Sequence, residues 1–334
     1  MTQKKKRARF PDQYLWILLF GGVLFAMPNT GDLNLLTILT LANTWAVFAM
    51  SWDILSGYTG QINFGHSLSI GLGGYFAALS AIWFDWPAIV TILVGGVIAS
   101  LGYMLLSLPA ARLHGPYLSL VTLIAALAAE RVIRILKVES SGAEGAIIDP
   151  TKFKLWLSPQ NFFTDPFYFS TILLLSVAVI LVIIARSRIG KVFEAIRESE
   201  EAAKAAGLNT TKYKILAFGI SGFFGGIAGA FYTYQIGSVS PVSHFLLDIS
   251  VFCIVASVIG GMGTIIGPMA GGYLFILVQE TARPSGSFRF LILFLVAIAI
   301  LYFLPRGFLT EIRVGIFKGI QAIMKKKEEE TSTS

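Results

Sequence analysis

Charge is the scarcest property of this sequence. Only 13% of its 334 residues are Asp, Glu, Lys or Arg, against 55% hydrophobic residues and a mean hydropathy of +0.73. Soluble domains carry nearer a quarter charged residues, so this chain cannot cover an ordinary water-facing surface. Cysteine is almost missing as well. The single Cys253 lies in an apolar run, which excludes an intrachain disulfide and a thiolate metal site and leaves a buried packing thiol. The three histidines, His66, His114 and His244, show neither H-E-x-x-H nor H-x-x-H spacing, so no metal site is expected. There is no G-x-x-x-x-G-K-[ST] sequence to bind nucleotide phosphates, no Ser-His-Asp arrangement and no paired carboxylates on one helix face. Neither a cofactor nor catalysis is expected. The net charge of +7 does not point to nucleic acid, because the basic residues sit in blocks between long apolar runs.

What is present is a succession of apolar stretches. A spanning helix needs about 20 mainly apolar residues, because its backbone must satisfy its own hydrogen bonds in lipid. The pattern predicts an all-α polytopic membrane protein of about ten transmembrane helices, near 14–28, 34–56, 66–84, 88–108, 117–136, 167–185, 214–234, 245–262, 265–282 and 289–304. The Gly-rich runs 57–74 and 260–272 read as broken or re-entrant segments. A basic terminus (1–13), a transmembrane domain (14–304) and a tail (305–334) follow, with a polar loop at 137–165 and another at 186–213. Most of the Lys and Arg fall in the terminus, the 186–213 loop and the tail, while 137–165 carries more acid than base. By the positive-inside rule both ends and 186–213 are cytoplasmic and 137–165 is external. The first apolar run lacks a small-residue cleavage site, so an uncleaved helix is expected.

Charged groups at membrane depth cost about 2.5–3.5 kcal/mol each on insertion scales, and strong hydrogen-bonding groups are costly too, so each asks for a partner. Asp53, Gln61, Asn63 and His66 surround the first glycine break; Gly260, Gly261 and Gly263 mark the second. Two readings stay open for them: a border of the translocation path or a gate, or caps for helix ends that bond one another. Glu130 and Arg134 have the spacing of a local ion pair. Gly222, Gly225, Gly226 and Gly229 form a small-residue stripe suited to close helix packing.

The segment Arg186–Lys214, RSRIGKVFEAIRESEEAAKAAGLNTTKYK, is the most informative. Gly190 and Gly207 bracket a run of strong helix formers, with Phe193, Ile196 and Ala203 near one face and Glu194, Glu198 and Glu201 on another. Glu200–Lys204 and Arg197–Glu201 have i,i+4 spacing, Gly207 fits the position after a helix end, and Asn209 or Thr210 can cap the next helix. One short amphipathic helix is expected here.

Glu201-Ala202-Ala203-x-x-x-Gly207 resembles the EAA loop of ABC-importer permeases, although the downstream I-x-L-P of that pattern is missing. Ser56-Gly57-Tyr58-Thr59-Gly60-Gln61-Ile62-Asn63-Phe64-Gly65-His66 is similar to the G-x-x-G-Q-x-S-F-G-H block of LivM-like branched-chain amino-acid permeases, the LivH/LivM family, with Asn63 in place of a small hydroxyl residue. Gly115-Pro116-Tyr117, Ser187–Gly190, Ile196–Glu200, Gly222–Tyr232, Ser240-Pro241, Gly260–Thr264 and Pro305-Arg306-Gly307 are similar to further blocks in order. The resemblance implies an ABC-importer permease fold in a bacterial or archaeal cytoplasmic membrane. It also implies two ATP-binding subunits, a second LivH-like permease and an extracytoplasmic solute-binding protein as partners. Glu194, Arg197, Glu198, Glu201, Ala202, Ala203 and Gly207 would couple the chain to the ATP-binding subunits. The expected cargo is a branched-chain or related amino acid. The alternatives are an ABC permease for urea or amides and a self-sufficient secondary transporter or channel.

Overall fold

The structure, a computed structural model, describes residues 12–111, 113, 115–136, 146–147, 164–286, 288–304 and 307–309. The basic terminus, His114, nearly all of the 137–165 loop and most of the tail lie outside the described residues. Thirteen α-helices are described: α1 Asp12–Ala26, α2 Leu33–Thr59, α3 His66–Phe84, α4 Ala88–Ala110, α5 Pro116–Leu136, α6 Thr164–Arg186, α7 Arg188–Glu198, α8 Glu200–Ala205, α9 Thr210–Ile236, α10 Pro241–Phe245, α11 Leu247–Gly260, α12 Ile266–Thr281 and α13 Phe288–Phe303. One two-residue ladder departs from the all-helical expectation. β1 (Ala146–Ile147) pairs antiparallel with β2 (Ser238–Val239), tying the loop after α5 to the end of α9.

Each of the ten expected windows holds helix, but by length and composition six helices among the described residues suffice to cross a membrane: Leu33–Thr59, His66–Phe84, Ala88–Ala110, Asp165–Arg186, Thr210–Ile236 and Pro241–Gly260. The last of these is interrupted at Leu246, where α10 ends and α11 begins. Helices α1, α12 and α13 have 15 or 16 residues, and α5 carries Glu130, Arg131 and Arg134 near its end.

The helix ends follow local chemistry. Asp32 caps α2 by accepting from the Asn34 and Leu35 amides, at 3.0 and 3.2 Å. Asn209 caps α9 by accepting from the Lys212 amide at 3.0 Å. Ser240 and Ser243 form a capping box on α10, with Pro241 in its first turn.

Packing places α2 at the centre. Every residue from Ala42 to Thr59 is buried, against α6, α7, α9, α11 and α12. A helix apolar on all sides and enclosed in this way is a core element. Helix α9 lies between α3 and α4 and uses its glycine stripe to do so. A Cβ on Gly229 would run into the Ile70 backbone of α3, and one on Gly226 would meet Ala99, Gly96 and Gly95 of α4. The opposite faces of α4, α5 and α13 present Leu101, Leu105, Leu108, Leu120, Ile124, Leu295 and Ile298 outward. Such a surface suits lipid and not water.

Candidate functional site

The first glycine break turns back into the protein. Helix α2 ends at Thr59, and α3 starts at His66, whose Nε2 is 2.9 Å from Ser51 Oγ. Ser51 lies about two helical turns, ~12 Å, before the end of α2. The six residues between the helices therefore climb back along α2, within the ~20 Å they could span if fully extended. Their backbone is satisfied by neighbouring side chains. Ser56 Oγ donates to the Gln61 carbonyl, Ser119 Oγ to that of Ile62 and Trp52 Nε1 to that of Asn63. The Asn63 and Phe64 amides donate to Ser56 Oγ and Thr122 Oγ1. Asn63 Oδ1 accepts from the Gly65 amide at 2.8 Å, its Nδ2 donates to Tyr103 Oη, and Tyr103 Oη donates to the Gly65 carbonyl. Irregular backbone persists away from water only when its groups are paired like this. Gln61 Oε1 and His66 Nδ1 are buried with no hydrogen-bond partner among the described residues.

The second break lies between α11 and α12, at residues 261–265, and meets α2 at Asp53, about one and a half turns before the α2 terminus. Asp53 is fully buried; its Oδ1 accepts from the Gly263 amide at 2.8 Å and its Oδ2 from the Ile265 amide at 3.4 Å. Ile265 has φ +58°, a left-handed conformation that is costly for a β-branched residue. Thr264 Oγ1 donates to the Gly261 carbonyl and accepts from the Gly267 amide, and Gly260 packs on the Gly267 carbonyl. The two breaks are thus separate in their bonding. Asp53 joins the second break, with Gly261 and Gly263, while Asn63 and His66 serve the first.

The polar segment after α6 differs from the single helix expected. It is two helices joined at Ser199, which has extended backbone and caps α8 by accepting from the Ala202 amide. Arg197 and Glu201 fall on opposite sides of that elbow. Arg197 Nη1 instead donates to the Gly57 carbonyl at 2.6 Å. Phe193, Ile196 and Ala203 are buried, whereas Glu194, Arg197, Glu198, Glu201, Ala202 and Gly207 are exposed. Gly207 has φ +83°, its amide donates to the Lys204 carbonyl and the Leu208 amide to that of Ala203, a Schellman ending for α8. Glu200 bonds Lys204 at 2.9 Å as expected. It also holds Lys214, a fully buried cation of α9, at 2.5 Å, while Lys214 Nζ donates to the Ala111 carbonyl at 3.4 Å. Sequence reading passed over Lys214 and Gly57. A lysine where the polar start of α9 turns into its apolar run was the available signal for the first; nothing local marks the second.

Elsewhere the expected Glu130–Arg134 pair forms at 2.7 Å. Among the described residues no group of three or more His, Cys, Asp or Glu is placed to hold a metal ion.

The structure is thus an apolar helical body with two paired breaks and a charged elbow fastened beneath them. The chain is 27% identical to the high-affinity branched-chain amino acid transport system permease protein LivM of Salmonella typhimurium, over 93% of this chain and 79% of that one. It is 28% identical to LivM of Escherichia coli over the same shares. It is 26% identical to the permease protein LivH of Salmonella typhimurium, over 81% of this chain and 92% of the relative. No solved structure matches. Residues 34–307 match the family described as the permease component of the branched-chain amino acid transport system, and the chain belongs to that family.

Proposed function

We propose that the chain is the transmembrane permease subunit of an ATP-driven ABC importer, carrying a branched-chain or related amino acid across the cytoplasmic membrane of a bacterium or archaeon. The observation that carries this reading is the α7–α8 elbow. Its apolar side is buried on the helical body, its bend is fixed on either side of Ser199 by Arg197–Gly57 and Glu200–Lys214, and its other side presents Glu194, Glu198, Glu201 and Ala202. A rigid exposed surface on a chain with no nucleotide-binding sequence of its own is what an energy-supplying subunit needs to push on. The ten helical windows are then ten spans with both termini inside, and the basic blocks face the cytoplasm. Two ATP-binding subunits dock at the elbows of this chain and of a LivH-like sibling. A solute-binding protein delivers cargo at the outer loops, 137–165 among them. Closure of the ATP-binding subunits moves the elbows and rocks the permeases between outward and inward states.

An ion-driven transporter working alone would need an available ionisable group at membrane depth. Asp53 is occupied by two amides, Glu280 pairs with Arg283 at 2.9 Å, and Asp248 is exposed. The discriminating assay is reconstitution in liposomes with and without the ATP-binding subunits and binding protein, using leucine, isoleucine, valine, urea and short amides as cargo. Uptake that requires ATP and all subunits is expected. Flux through the chain alone under an ion gradient would overturn the proposal, and transport of urea in preference to amino acids would move it to the amide class.

A further inference from the structure

Three segments far apart in sequence converge beneath α2, and the elbow contributes one side chain to the junction. The last turn of any helix leaves carbonyls without intrahelical partners and a partial negative charge. In α2 the Gly60 amide takes the Ser56 carbonyl, and the next carbonyl, that of Gly57, is taken by Arg197 Nη1 at 2.6 Å. One turn earlier on the same helix, Asp53 holds the Gly263 and Ile265 amides of the second break. The fit leaves no room for side chains. A Cβ on Gly57 would lie 2.8 Å from the Gly263 nitrogen, and one on Gly263 would lie 2.6 Å from Arg197 Nη1 and 3.2 Å from the Gly57 carbonyl oxygen. A Cβ on Gly60, where the first break begins, would meet the Arg197 stem at 3.3 Å. Arg197 therefore lies against Gly60 at the start of the first break and Gly263 in the middle of the second, although much of its surface is exposed.

We infer that Arg197 and Asp53 are positioning residues of an internal strut, which passes displacement of the α7–α8 elbow to residues 60–65 and 261–265 together. Arg197 acts through the Gly57 carbonyl, not by touching the subunit that docks on the elbow. A charge-assisted hydrogen bond to an otherwise unpartnered helix-end carbonyl is short and directional, so the elbow cannot shift without breaking it or taking the α2 terminus along. Asp53 then makes the second break follow the first. The inference rests on the elbow being the docking surface for an ATP-hydrolysing subunit.

The test uses the full complex in liposomes and reads solute taken up per ATP hydrolysed. Arg197→Ala should still copurify with the ATP-hydrolysing subunits and still hydrolyse ATP, while the uptake ratio falls about tenfold, the scale of one charged hydrogen bond. Arg197→Lys, which can still donate a charged hydrogen bond, should recover most of the ratio. An unchanged ratio in Arg197→Ala, or no recovery with Lys, would overturn the strut. Loss of copurifying subunits in Arg197→Ala alone would overturn it too, by making Arg197 a docking residue. Absence of those subunits from the wild-type preparation would instead remove the docking reading on which the strut stands.

Discussion

Lys214 is a full positive charge with no exposed surface, and it is tolerable only because Glu200 reaches across from α8 to meet it at 2.5 Å. Burying an ion is costly, and removing one partner of a buried pair costs more than replacing both. The two single variants should therefore differ. Glu200→Gln strands the Lys214 ammonium with one distant carbonyl and should destabilise the protein by about 3–5 kcal/mol. Lys214→Met leaves a carboxylate that is still bound to Lys204 and accepts from Thr210, so its loss should be smaller. The double variant should recover part of the Glu200→Gln loss. Melting temperatures of the detergent-purified protein check the order, and equal losses in the two single variants would contradict it. Asp53 follows a related logic: what makes it possible at the centre of an apolar body is a pair of backbone amides that no other group takes.

At the scale of elements, α9 is a helix whose neighbours come close because it has no side chains in the way. A β-branched residue at Gly229 would have to displace the backbone of α3 at Ile70, so Gly229→Val should abolish the folded yield or lower stability by more than about 3 kcal/mol. Gly22→Ala in α1 is the control, since a methyl there meets nothing within 4 Å and alanine favours helix. Size-exclusion profiles of the two variants separate the cases. The stripe at Gly222, Gly225, Gly226 and Gly229 was visible in the letters as a packing surface. Which helices it receives was not, because a spacing of three and four residues names a face and not its neighbour. The elbow shows the converse. Helix formers run through Ser199 without interruption in composition, yet the helix breaks there, since the Ser199 side chain finds an amide donor at Ala202 that a helical conformation would deny it.

At the scale of the whole molecule, the exposed and buried sides of α8 give a direct check on how the elbow sits. Cys253 is the one native cysteine and is fully buried, so the wild-type background should stay unlabelled by a membrane-impermeant maleimide. Cysteines placed at Ala202 and Ala205 should label readily, and one at Ala203 should be protected, because only Ala203 turns toward the body. Labelling from the cytoplasmic side alone is expected of both exposed positions, and reversed sidedness would invert the topology. The sequence by itself determined that the chain is a helical membrane protein, where its apolar segments run, and that it resembles branched-chain amino-acid permeases. Those properties are carried by composition, by spacing along one helix and by short local blocks. Tertiary structure alone decided that Asp53 bonds Gly263, that Arg197 reaches Gly57 and that Glu200 closes on Lys214. The Asp53–Gly263 and Arg197–Gly57 bonds span 210 and 140 residues. Each depends on which helix backbones are brought together, a property of the packed whole that no local pattern encodes.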